Sequence, residues 1–320
     1  MQGRIVPANA EWTAEAGNLI RAGALVAFAT ETVYGLGADA TNGEAVARIY
    51  ETKGRPTFNP LIVHVLGIEQ AVIIGTFSPV ARMLTEAFWP GPLTLVVPRL
   101  ETTTVTELVS AGLPTVAIRA PAHPLARALL KEAHRPIAAP SANRSGRVSP
   151  TRAEHVASDL GDKIALILDG GPASVGLEST VIGFVNDRPV LLRPGAIAAE
   201  AIEDVISDRL SRHTETGEQL SSPGQLRSHY APNASMRLNA ETWQPDEAVL
   251  AFGKVSERPS RKTINLSPSG DLVEAAANLF ASLRALDQSG ASVIAVTPIP
   301  THGLGEAIND RLERAAAPRD

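Results

Sequence analysis

The chain has 320 residues, 44% of them hydrophobic, which is enough apolar mass for about two domains with substantial cores. Its formal net charge of -5 argues against a general nucleic-acid binder, although a local cationic pocket remains open to it. The absence of cysteine excludes disulfides, thiolate zinc sites and cysteine nucleophiles, and no apolar run is long enough to cross a bilayer or to form a signal peptide, so a cytoplasmic protein is expected.

Taken in chain order, Thr13 is expected to cap a helix that runs to about Arg21 and stops at Gly23. Residues 24–29 read as a short buried strand leading into Thr30-Glu31-Thr32-Val33-Tyr34-Gly35-Leu36-Gly37. There Gly35, Gly37 and Ala40 loosely match a dinucleotide fingerprint, but Arg55 and Thr57 stand where its acidic residue is expected, so glycines that only make a turn are the competing reading. Thr30 and Thr32 can instead offer hydroxyls to a small ligand. Asn42 can cap a second helix with Ala45, Val46 and Ile49 on one face.

That helix ends in Lys53-Gly-Arg-Pro-Thr-Phe-Asn-Pro-Leu61, the most informative stretch of the chain. A glycine and two prolines restrict its backbone, so Lys53 and Arg55 are fixed cations beside apolar strands and suit a buried polyanion such as a triphosphate. The alternative is a solvated helix end, where cations favour the macrodipole. No Walker A loop is present, so a bound nucleotide would be held by side chains of this kind.

A strand over 61–65 brings in His64, either a ligand contact or a satisfied core histidine; the histidines show no metal spacing. A helix over 78–88, strands over 93–97 and 115–118, and a helix over 124–133 follow. Arg119 and Arg193 each come just after a strand, as an anchor for a carboxylate or phosphate or as half of a structural ion pair. In Pro140-Ser141-Ala142-Asn143-Arg144-Ser145-Gly146, the serines and Asn143 can donate to phosphate oxygens or cap a helix; Ser149-Pro150-Thr151 reads as the start of a helix to Leu160. Strands over 164–168, 180–185 and 190–192 complete an irregular alternation that predicts a mixed α/β sheet, not a regular doubly wound one. Residues 207–233 read as a polar linker. From Ala248 the pattern strand, strand, helix, strand, helix predicts a small α/β domain, with Leu272, Ala276, Leu279, Leu283 and Leu286 at helical spacing.

Taken together, these segments resemble the long form of the YrdC family, the threonylcarbamoyl-AMP synthases. The similarity rests on Thr-Glu-Thr-Val-Tyr-Gly-Leu-Gly (30–37), Lys-x-Arg-Pro-x-x-Asn-Pro-Leu (53–61), Trp-Pro-Gly-Pro-Leu-Thr (89–94) and Thr-Val-Ala-Ile-Arg-x-Pro (115–121). It continues through Ala-Pro-Ser-Ala-Asn-x-Ser-Gly (139–146), Glu-Ser-Thr-Val-Ile (178–182), Leu-Arg-Pro-Gly (192–195), Pro223-Gly224, His229-Tyr230-Ala231-Pro232, and Gly303 to Arg311. Ala29, where many relatives have proline, and Gln225, where methionine is common, depart from the pattern.

The resemblance implies a YrdC-like twisted mixed sheet flanked by helices around a large concave cavity (1–206), a linker or lid (207–233) and a small Rossmann-like α/β domain (234–320). It implies that L-threonine, bicarbonate and ATP, with Mg2+ accompanying the ATP and no metal ligand from protein side chains, yield threonylcarbamoyl-AMP and pyrophosphate. The product would pass to a tRNA-modifying threonylcarbamoyltransferase for threonylcarbamoyladenosine synthesis; direct tRNA contact is an option that this reaction does not require. By resemblance, Thr32, His64, Arg119, Ala139 and Ser179 would hold threonine. Arg55, Asn59, Thr115, Ser141, Asn143, Ser149, Arg193 and Tyr230 would hold ATP, with Lys53 and Arg55 as catalytic cations at its phosphates. The competing class is a double-stranded RNA or tRNA binder using the same cationic cavity.

Overall fold

The computed structural model describes residues 4–212, 229–256 and 259–318; the linker residues Pro223, Gly224 and Gln225 lie outside them. Among the described residues, eleven strands form one sheet. Its order begins Arg4–Pro7, Leu166–Asp169, Val26–Phe28, Gly35–Asp39, Ile137–Ala138, Ile62–His64. It continues Thr115–Arg119, Leu93–Pro98, Thr180–Val185, Arg188–Arg193, Ser211–Arg212. Val26–Phe28 runs antiparallel to Gly35–Asp39 and parallel to Leu166–Asp169, so the sheet is mixed as expected. It reaches Ser211–Arg212, a few residues beyond the boundary expected at 206.

Local chemistry sets the helix ends. Asn42 and Ser78 cap the helices Gly43–Lys53 and Pro79–Phe88 through their side-chain oxygens. The first helix, Ala10–Arg21, is capped by Asn9 and not by Thr13, whose hydroxyl bonds back to the Asn9 carbonyl from inside the first turn. Thr151 does not open a helix either. The Pro150 and Thr151 carbonyls accept from the Tyr34 and Ala173 amides, and the helix begins later, at Ala153–Leu160.

The strand Gly35–Asp39 disposes of the dinucleotide reading, because no strand–turn–helix unit forms around its glycines. A Cβ on Gly37 would lie 2.8 Å from Phe28 Cε1 and 2.9 Å from Ile137 Cγ2, so glycine is required there for close packing between strands.

Four further described strands, in the order Ser235–Arg237, Val293–Val296, Ala248–Ala251, Lys262–Asn265, form a wholly parallel second sheet. The helices Leu272–Asp287 and Leu304–Ala316 supply its apolar cover. Ala276, Leu279, Leu283 and Leu286 are buried in the expected stripe, whereas Leu272 is only partly buried. Val33, Val148 and Leu177 of the large domain belong to the same apolar cluster, so the two domains share a packed interface. Among the described residues no helix is long and apolar enough to cross a membrane.

Gly176 marks the tightest part of that interface. Its φ is +73°, and a Cβ there would lie 2.5 Å from the carbonyl oxygens of both Ala276 and Ala277. Gly176→Ala should therefore cost on the order of 1–3 kcal/mol through overpacking and backbone strain. Urea denaturation measures this; an unchanged midpoint would contradict the interface described.

Candidate functional site

Sheet register assembles the first half of the site. Arg119 ends its strand paired with His64 on one side and Thr94 on the other, so three polar side chains meet at one end of these central strands. Arg119 is buried, and three of its five N–H donors are engaged: Nη1 to Thr32 Oγ1 at 2.8 Å, Nη2 to Glu31 Oε1 at 2.5 Å, and Nε to the Gly91 carbonyl at 3.3 Å. Glu31 also accepts from the Ala122 and His123 amides, at the start of the helix Pro124–Ala133. Burial alone would raise the Glu31 carboxyl, but the Arg119 charge and these hydrogen bonds outweigh it and hold it at about 2. His64 moves the other way. Burial, aided by the neighbouring Arg119 charge, lowers its ring to about 3, so it is neutral at ordinary pH. The Thr30 hydroxyl bonds Thr32 Oγ1 and the Val33 carbonyl, fixing the turn that presents Thr32.

The second half centres on two arginines. Arg55 donates to Asn59 Oδ1 at 2.6 Å and to the Asn59 and Pro60 carbonyls. Arg193 donates to the Ser179 carbonyl and hydroxyl at 2.8 and 3.1 Å, and Ser179 Oγ also meets Thr94 Oγ1 at 2.7 Å. Ser179 thus joins the two halves. Burial lowers Arg55 to about 10 and also lowers Arg193. Cations under this strain favour an anionic ligand in the space between them. A cavity lies there, lined by Thr32, Arg55, His64, Arg119, Ala139, Ser141, Ser179 and Arg193.

Two linker residues add to its wall. His229 and Tyr230 both line the cavity, and Tyr230 is 0% exposed, its ring stacked on Phe280 of the C-terminal domain at 5.5 Å. The buried Tyr230 hydroxyl has no hydrogen-bond partner among the described residues, which leaves it for a ligand.

Nine of the expected site residues line this cavity: the eight just named with Arg119, and Tyr230. Five expected residues do not, and each has another place. Lys53 is 4% exposed, so the solvated helix end is excluded; its ammonium instead bonds the Ser141 and Asn143 carbonyls and staples the helix to the 141–146 loop. Asn59 braces Arg55, and Asn143 Nδ2 bonds the Arg144 and Arg147 carbonyls within its own loop. Ser149 Oγ donates to Glu178 Oε1 at 2.6 Å. Thr115 begins the strand that Arg119 ends, paired with Pro98 away from the cavity lining.

The residues given no role in the sequence are Glu31, Thr94, Glu178 and Arg311. The acids are poor guesses for the wall of an anion pocket until their arginine partners are seen. Arg311 could have been found: it falls on the apolar face of its helix, with Ala307, Ile308, Leu312 and Ala315.

Comparison with known proteins accords with this geometry. Residues 18–195 match the Sua5/YciO/YrdC sequence family, described as Telomere recombination, and residues 197–317 match the Threonylcarbamoyl-AMP synthase, C-terminal domain. The Threonylcarbamoyl-AMP synthase of Bacillus subtilis strain 168 is 44% identical over 326 residues, covering 96% of this chain and 93% of its own. A crystal structure of Pyrococcus abyssi Sua5 complexed with L-threonine superposes with a TM-score of 0.87 at 39% identity, over 98% of this chain and 97% of that one. Escherichia coli YciO, at 21% identity and a TM-score of 0.54, shares the fold of the larger domain.

The Glu31–Arg119 pair has a consequence in acid. Glu31 titrates at about 2 in the folded chain and near its ordinary 4.5 when unfolded. Its stabilisation is fully present above 4.5 and is lost as pH falls through about 2. Glu31→Gln should be less stable than the parent at neutral pH and lose stability less steeply on acidification; parallel stability-versus-pH curves would contradict the pairing.

Proposed function

We infer the reaction from kinship and geometry together: the chain belongs to the threonylcarbamoyl-AMP synthase family, in its two-domain long form. It makes threonylcarbamoyl-AMP, the intermediate that supplies tRNA threonylcarbamoyladenosine, and is a nucleotidyltransferase. In our proposal the amine of L-threonine and bicarbonate give a carbamate and water. A carbamate oxygen then attacks the α-phosphorus of ATP, and pyrophosphate leaves. A carbamate is labile in water, which the buried Tyr230 helps to exclude.

The single observation that carries this reading is the placement of two anion-seeking subsites in one cavity, joined at Ser179. Arg119 keeps two N–H donors beyond its three bonds, enough for the threonine carboxylate. Thr32, Ser179, neutral His64 and the Ala139 backbone surround the rest of the amino acid. With its ring held at about 3, His64 is too weak a base to take a proton from an ammonium group, so its role is orientation. Arg55, Arg193, Ser141 and the Tyr230 hydroxyl face the nucleotide. Lys53 acts one step removed, by positioning Ser141.

Magnesium would accompany the ATP and help to neutralise its phosphate charge beside Arg55 and Arg193. The work of the site is positioning and charge stabilisation, with no covalent enzyme intermediate. The product then passes to a threonylcarbamoyltransferase that modifies tRNA.

Pyrophosphate release from ATP should require both L-threonine and bicarbonate. Arg55→Ala should reduce it by at least about a hundredfold, in the range found when a phosphate-facing charge is lost. Arg119→Ala should raise the KM for threonine far more than the KM for ATP. Near-normal turnover in the first variant, or equal effects on both substrates in the second, would overturn these assignments.

A further inference from the structure

One polar contact between the domains is unused by the reaction just described. Arg311 lies on the C-terminal helix Leu304–Ala316, yet its side chain is 0% exposed and reaches into the wall of the catalytic cavity. Its Nε donates to Glu178 Oε2 at 2.9 Å and its Nη2 to the Pro194 carbonyl at 2.9 Å, while Nη1 pairs with Asp310. Its guanidinium carbon sits 5.1 Å from the centre of the Tyr230 ring. The other Glu178 oxygen accepts from Ser149.

Glu178 lines the same cavity as Arg55 and Arg193, where a carboxylate repels a polyanion. Both of its oxygens are nevertheless occupied, one by a neutral hydroxyl and one by a cation from the other domain. The grip also falls on both sides of Arg193. Glu178 precedes Ser179, the Arg193 acceptor, and Pro194 follows Arg193 itself. Asp310 does not cancel the Arg311 charge alone, since Arg314 shares it at 3.0 Å.

We propose that Arg311 is a positioning residue for ATP: the C-terminal domain inserts it to neutralise Glu178 and to hold Arg193 in place. This rests on the assignment of Arg55 and Arg193 to the nucleotide. It gives the small domain a defined part in a reaction whose other groups come from the large domain and the linker. A cation is needed at this point because a buried carboxylate stripped of its partner is a full negative charge beside the triphosphate.

The test uses the full-length protein, with pyrophosphate release measured against ATP at saturating threonine and bicarbonate. Arg311→Met should raise the KM for ATP at least about tenfold while changing the KM for threonine much less. Adding Glu178→Gln to Arg311→Met should bring the ATP KM back to within about threefold of the parent, since the charge to be neutralised is gone. Arg311→Lys, which keeps the charge, should lie between the parent and Arg311→Met.

An unchanged ATP KM in Arg311→Met overturns the proposal, as does a double variant no better than the single one. If Arg311→Met does not fold, the double variant decides: a near-parental ATP KM supports the proposal, and a tenfold defect or failure to fold overturns it. A parent protein that releases no pyrophosphate would instead refute the nucleotide assignment on which the proposal rests.

Discussion

Burying several cations in one place is the constraint on which this structure depends. Lys53, Arg55, Arg119, Arg193 and Arg311 are all withdrawn from water around a single cavity. Each loses hydration that must be replaced by oxygen atoms, or it would unfold its surroundings or shed its proton. The chain meets the demand unevenly. Arg119 and Arg311 receive carboxylates, Glu31 and Glu178. Lys53 and Arg55 donate to carbonyl and amide oxygens, Arg193 donates to the Ser179 carbonyl and hydroxyl, and burial shifts all three towards deprotonation. Burial of Arg55 and Arg193 beside the cavity favours an anionic ligand between them, and a triphosphate meets that demand.

The same constraint explains why the site spans domains. Glu178 needs a cation to be tolerated in an anion pocket, and its cation comes from the far end of the chain. Tyr230, held between Phe280 and Arg311, reaches the cavity only because the C-terminal domain is docked. Gly176, Leu177 and Val148 bring the large domain close enough for that docking. Packing at the interface and electrostatics in the cavity are thus one problem with one solution.

Much of this was legible in the residues. The capped helices at Asn42 and Ser78, the central strands, the stripe from Ala276 to Leu286 and the mixed sheet all follow from local pattern. The motifs that carry the family resemblance include Arg55, Arg119, Ser179 and Arg193, which line one cavity. Other features depend on contacts between distant segments. Thr13 yields its expected cap to Asn9 because the chain turns earlier, and Gly35–Asp39 is a strand because it pairs with Val26–Phe28 and Ile137–Ala138, with no room for a side chain at Gly37. Lys53 stands beside Arg55 in sequence but turns toward the 141–146 loop, which no local rule specifies. Arg311 carried a usable signal, a charge on an apolar helix face, whereas its partner Glu178 could not be inferred.

The central claim is that the cavity links carbon from bicarbonate to both threonine and adenylate. Mass spectrometry of the nucleotide product formed from ATP, L-threonine and carbon-13-labelled bicarbonate tests it most directly. The account predicts an adenylate that contains threonine and one labelled carbonyl carbon. A threonine adenylate without the label would contradict it.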